Sequence, residues 1–146
     1  MNTFNLRYFR ERNEITQKEM SDILNISRST YAGYENCIDN IPITKLNDLC
    51  EYFKISIDFL SGLSNTNNFI SKKNLDPKEI GKRLDDFFNK NNITKTEIAN
   101  LLNTSPQTIV HITKGRNFIQ SLFLYEICKK YNVSMDYFLG KTDKLK

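Results

Sequence analysis

A chain of 146 residues has room for one ordinary domain or two very small ones, and none for a multi-domain enzyme. Its 39% hydrophobic and 26% charged residues, with 5 Gly and 3 Pro, suit a folded protein with few hairpin turns and exclude disorder and collagen-like repeats. The formal net charge is +4. No apolar run approaches the roughly 20 residues of a membrane-spanning helix, and Met1-Asn2-Thr3-Phe4-Asn5-Leu6-Arg7 holds no stretch of signal-peptide length; a cytoplasmic protein without a membrane partner is expected.

The spacing of Leu6, Phe9 and Tyr8 predicts a first helix from near Thr3 to about Asn13. Thr16 with Glu19 three residues on is a capping-box pattern, and it opens a second helix with Met20, Ile23 and Leu24 as its buried stripe. Asn25 and Ile26 form a turn. Ser27 then offers an N-cap hydroxyl to a third helix that carries Thr30, Tyr31 and Tyr34 inward. Pro42 suits the first turn of a fourth helix with Leu46, Leu49, Cys50 and Phe53 at three- and four-residue spacing, and Ser56 caps a fifth that ends at Gly62. The stretch from Leu63 to Leu75 is polar and rich in Asn and Ser, as linkers are, and a domain boundary is placed near Asn68, giving domains 1–68 and 69–146.

Beyond the linker the pattern returns. Shifted by 78 residues, Leu6–Gly62 aligns with Leu84–Gly140 without a gap, and 16 of the 57 pairs are identical. Most other pairs stay apolar, such as Met20/Ile98, Tyr31/Ile109 and Phe53/Tyr131, so one core is built twice. Asp76-Pro77-Lys78-Glu79 reads as an Asp cap, a Pro at the first helical position and a Glu closing the box. Thr94/Glu97 and Ser105-Pro106 repeat the starts of helices two and three. The expectation is an all-α chain of about ten helices in two tandem five-helix domains.

Thr16-Gln17-Lys18-Glu19-Met20-Ser21-Asp22-Ile23-Leu24, leading through a turn to Ser27-Arg28-Ser29-Thr30-Tyr31 and then Tyr34-Glu35-Asn36, resembles the Cro/phage-repressor-like (XRE-type) helix-turn-helix family. Ile55-Ser56-Ile57-Asp58-Phe59-Leu60 and Val133-Ser134-Met135-Asp136-Tyr137-Phe138-Leu139-Gly140 look like that family's fifth helix. The second copy departs from the pattern at Ile112-Thr113-Lys114-Gly115, where the family has an aromatic residue, Glu, Asn and Gly. The resemblance implies a third helix lying in the DNA major groove, with the N-terminal ends of helices two and three at phosphates.

Those helix ends, with free backbone N–H groups and partial positive charge, place Gln17 and Ser27 in the first copy and Lys95 and Ser105 in the second where a phosphate oxygen is welcome. Away from the core face, helix three of the first copy presents Arg28, Ser29, Ala32 and Gly33 to base edges. Arg28 can grip guanine O6 and N7 together. The resemblance adds Asn36 to this DNA-facing set. The second copy presents Pro106, Gln107, Val110 and His111, then Lys114 and Arg116 in the next loop; Gln107 suits adenine, Val110 a thymine methyl group, and His111 a base or phosphate. The family often pairs a helix-one Arg with the Glu near the end of helix three, so Arg10 and Glu35 are assigned to structure. Phe88 and Thr113 stand at the matching positions, so both charges vanish together.

The expected function is a sequence-specific transcriptional regulator, a repressor, with double-stranded DNA as its partner. A single chain then reads two dissimilar half-sites. A linker of about 12 residues reaches at most about 40 Å, against about 34–36 Å between successive major-groove sites on one face. Homodimerisation through the fifth helices is the other route to two half-sites, and an inducer is expected to be a regulatory partner protein, a peptide or a change in concentration. The alternative is a protein-interaction module, antitoxin-like or adaptor, because residues 1–70 carry a net charge of −2 and residues 71–146 carry +6. Cys37, Cys50 and Cys128 are odd in number and widely spaced and read as reduced thiols, Cys50 and Cys128 in the core. With His111 the only histidine, no catalytic residue, metal site, cofactor or enzymatic activity is expected.

Overall fold

The computed structural model describes residues 3–146; Met1 and Asn2, which open the segment read as lacking a leader, lie outside the described residues. The chain divides into two compact units, Met1–Ser71 and Lys72–Lys146. The described residues form ten α-helices and no strand.

In the first unit the helices are α1 (Leu6–Arg12), α2 (Gln17–Ile23), α3 (Arg28–Glu35), α4 (Ile43–Phe53) and α5 (Ile57–Ser61). Their starts follow the caps. Thr16 accepts from the Glu19 backbone while the Glu19 carboxylate reaches back, closing the box, and Ser27 and Ser56 accept from the Thr30 and Phe59 N–H groups. Met20, Leu24, Tyr31, Leu46, Leu49, Cys50, Ile57 and Leu60 are fully buried; burial of each large apolar side chain contributes about 1.5–3 kcal/mol. Between α2 and α3 the tight turn is made by Asn25 in the left-handed region at φ 57°, a conformation that Asn tolerates better than most residues.

Three expectations for this unit change. The first helix starts at Leu6 instead of near Thr3, because Asn5 turns left-handed at φ 31° and its side-chain amide donates to the Leu60 carbonyl while Phe4 drops into the core. Tyr8 is 56% exposed, stacked edge-on against Phe9 and hydrogen-bonded by Arg12, and Ile23 is 37% exposed. Pro42 is the residue before the fourth helix and not in its first turn. The polar stretch after α5 is tied down on this side: Asn67 accepts from the Ser56 N–H and donates to the Lys54 carbonyl, and Ser71 donates to Glu51.

The second unit holds α6 (Pro77–Lys90), α7 (Lys95–Leu102), α8 (Pro106–Thr113), α9 (Ser121–Tyr131) and α10 (Met135–Phe138). Its core of Ile80, Leu84, Phe88, Ile98, Leu124, Cys128, Met135 and Phe138 mirrors the first. Asn103 repeats the left-handed turn of Asn25 at φ 56°. At 14 residues α6 is twice the length of α1, and its extra turns lie over the end of α8. A Cβ on Gly81 would stand 2.4 Å from the Ile112 carbonyl oxygen, and one on Gly115 2.6 Å from Lys78 Cα, so this seam is closed by two glycines. Asp76 caps α6 through the Lys78 N–H, as expected, with Pro77 at the first position. Glu79 does not close a box there; its carboxylate is taken by Lys72 and Arg83. Arg83 also donates to the Tyr137 and Thr142 carbonyls, and the Ser134 N–H to Leu145, which pins the C-terminal segment.

Candidate nucleic-acid interface

In the first unit α2, the Asn25 turn and α3 form the two-helix device anticipated from the sequence. At the start of α3, Ser27 spends its hydroxyl on the cap, accepting from the Thr30 N–H at 3.1 Å and lying 3.2 Å from Ser29 Oγ. Arg28, the first residue of the helix, is exposed, and its guanidinium has no hydrogen-bond or ion-pair partner among the described residues. Ser29 is exposed beside it, and Ala32 is half-buried. Gly33 does not face outward: it is buried, and a Cβ there would meet the Asp39 carboxylate at 2.9 Å.

The other end of α3 is anchored by charge. Both Glu35 oxygens are gripped by Arg10, Nε to Oε2 at 2.9 Å and Nη2 to Oε1 at 2.7 Å, and Arg7 Nε donates to Oε1 at 3.0 Å. The Glu35 side chain is 0% exposed and that of Arg10 11%. Burial pushes the Glu35 carboxyl up, but the hydrogen bonds from Arg10 and Arg7 outweigh it and hold the group at about 2. Burial and the Glu35 charge raise the Tyr31 hydroxyl well above its ordinary value. The structural assignment of Arg10 and Glu35 is thus what the geometry displays. Two expected DNA-facing residues belong to the same network: Gln17 Nε2 lies 3.5 Å from Glu35 Oε1, and Asn36, just past α3, accepts from Arg7 Nη2 at 3.2 Å.

The second unit rewires this anchor. Phe88 and Thr113 replace the pair, Phe88 fully buried, and the charge moves to the positions matching Arg7 and Gln17, where Asp85 and Lys95 form an ion pair at 3.1 Å. Both are 36% exposed, so Lys95 reaches solvent with a carboxylate already attached. Arg7 and Asp85 were not singled out from the sequence; the signal was there, in the exchange of Arg/Gln for Asp/Lys at two positions of the repeat. Ser105 caps α8 through the Thr108 N–H at 3.3 Å. Along the outer side of α8, Gln107 Nε2 lies 3.3 Å from His111 Nε2, and Arg116 Nη1 lies 3.2 Å from His111 Nδ1. Lys114 follows, exposed and with no side-chain partner among the described residues. The structure therefore gathers Gln107, His111 and Arg116 into one row and leaves Lys95 and Ser105 apart from it.

Among the described residues no group of three or more His, Cys, Asp or Glu is placed to hold a metal ion, and no helix is long and apolar enough to cross a membrane. Cys50 and Cys128 are buried thiols outside any disulfide, and Cys37 is an exposed one.

The helix-turn-helix family model matches twice, over residues 6–60 and 86–138. The chain belongs to this XRE-type helix-turn-helix family of DNA-binding transcription regulators, with two copies of its domain in tandem. Over 88 residues, 60% of this chain and 71% of the relative, it is 30% identical to the uncharacterised HTH-type transcriptional regulator YobD of Bacillus subtilis strain 168. No solved structure matches it.

Proposed function

We propose that the protein is a cytoplasmic repressor whose domains, 1–68 and 69–146, read two dissimilar half-sites with α3 and α8. The observation that carries the reading is Arg28: a cation without an internal partner, at the first position of α3 and open to solvent, where an Arg fork suits guanine O6 and N7. Ser29 lies beside it. Lys114 supplies the same kind of unpaired charge at the end of α8 and is suited to a phosphate. Gln17, Ser27 and Asn36 in the first domain, with Lys95 and Ser105 in the second, line the phosphate-facing rim. Lys95 contributes there only as the Lys half of an ion pair. Repression needs no more than occupancy of the operator, which two reading domains supply; α5 or α10 is the surface for a homodimer, and a protein or peptide the releasing signal.

Arg28→Ala is expected to weaken binding to the operator about 5- to 150-fold, the weight of one bidentate base contact at about 1–3 kcal/mol, and to flatten base preference at one position. Gel shifts with wild type and variant on the chain's own upstream DNA measure it. Unchanged affinity and preference would remove Arg28 from the reading face. The same titration at rising salt tests the alternative, a protein-binding module, which the −2 charge of residues 1–70 favours: phosphate contacts weaken steeply with salt, and a flat response supports the module.

A further inference from the structure

The row on α8 fixes which hydrogen-bonding groups the helix can offer. Gln107 and His111, four residues apart, share one helix face. Arg116 is delivered to the same place by the way α8 ends. Gly115 takes φ +73°, its N–H donates to Ile112 and the Arg116 N–H to His111, both at 3.0 Å, the paired bonds of a Schellman close. The guanidinium then comes to rest 3.2 Å from His111 Nδ1. The matching positions in the first domain are Ser29, Gly33 and Ile38, which hold no such row.

With Gln107 Nε2 at one ring nitrogen and Arg116 Nη1 at the other, the imidazole stands between two donors, and a neutral imidazole accepts at one nitrogen only. Arg116 cannot cease to donate. Gln107 can, by a half-turn of its exposed amide. Nδ1 therefore accepts from Arg116, the ring proton sits on Nε2, and Nε2–H donates to Gln107 Oε1. That turns the Gln107 NH2 outward. A Gln reads adenine by accepting from N6–H2 and donating to N7 at once, with both amide atoms turned to the base; with Oε1 turned back onto the imidazole the amide leads with its NH2, which suits guanine, whose O6 and N7 are both acceptors.

We propose that His111 is a positioning residue for base choice: held as the Nε2–H form by Arg116, it locks Gln107 with its NH2 outward, so that α8 selects guanine over adenine at the base pair that Gln107 meets. This rests on α8 being a reading helix. It also replaces the adenine contact that Gln107 suggests when taken alone.

The full-length protein tests it twice. His111 is the only histidine, so a long-range 1H–15N spectrum of the free, 15N-labelled protein at pH 8 carries one imidazole. An Nε2–H pattern that gives way to a tautomer mixture in Arg116→Ala is expected, and an Nδ1–H pattern in the wild type overturns the proposal. In gel shifts on duplexes that differ by G·C or A·T at each operator position, the wild type is expected to prefer guanine about tenfold at one α8 position, His111→Ala to lose that preference, and Gln107→Ala to lose discrimination there altogether. A preference that needs Gln107 and survives His111→Ala overturns this proposal and leaves α8 as a reader. Discrimination indifferent to Gln107→Ala at every position removes α8 from the reading and the proposal with it.

Discussion

Glu35→Gln is expected to destabilise the first unit by about 3–5 kcal/mol, the cost of leaving a buried charge without its partner. The substitution keeps the shape of the side chain and removes only its charge, so the loss belongs to Arg10, 11% exposed and forked onto both carboxylate oxygens, and to Arg7 beside it. Urea denaturation followed by circular dichroism reads the change. Arg10→Phe with Glu35→Thr, which installs the residues of the second unit, is expected to recover most of it; a double variant as unstable as the single one would assign the loss to packing instead of charge. The same carboxylate makes the unit acid-sensitive. Its pKa falls from an ordinary 4.5 to about 2 on folding, so its stabilisation, about 3 kcal/mol by linkage, is complete above about pH 5 and is lost as pH falls through 4.5 towards 2. An acid titration of wild type against Glu35→Gln checks this: the variant should lack that slope.

Gly81→Ala is expected to cost the second unit about 3 kcal/mol, although alanine is the better helix former by about 1 kcal/mol. The added carbon would stand 2.4 Å from the Ile112 carbonyl oxygen and 2.8 Å from that of Thr113, both main-chain atoms that cannot rotate away. Relief requires α6 and the C-terminal end of α8 to separate. Since that end carries His111 and leads into Lys114 and Arg116, the strain reaches the proposed reading surface as well. Thermal melts give the stability, and gel shifts at a temperature where the variant is folded give the second effect. A variant as stable as the wild type would mean that the seam yields without cost.

The helices were legible because their starts are written locally. Thr16, Ser27, Ser56, Thr94, Ser105 and Ser134 each cap the helix that follows, and a hydroxyl acts on N–H groups only two or three residues away. The errors lie where a distant group decides. Asn5 leaves the helical path because of the Leu60 carbonyl, Glu79 is drawn off its box by Lys72, and Gly33 is covered by Asp39. Helical spacing assigns Tyr8 and Ile23 to an apolar face, yet α1 and α2 are seven residues each and bury a narrower stripe than their apolar content suggests. The candidate site was legible as a set of residue types. Its pairings were legible only in part: Arg10 with Glu35 came with the family resemblance, whereas the share of Arg7 in that carboxylate and the arrival of Arg116 at His111 depend on how separate segments are brought together.

The relocation of charge between the two anchors bears on how a duplicated chain avoids confusing its own parts. α1 and α6 are matching pieces of the repeat, and a folding chain that trades one for the other would make a swapped product. Seating α6 in the place of α1 sets Asp85 against Glu35 and strips the latter of Arg10; seating α1 in the place of α6 sets Arg7 against Lys95. Each misplacement opposes like charges, whereas each native seating joins unlike ones, so charge as well as length distinguishes the two helices.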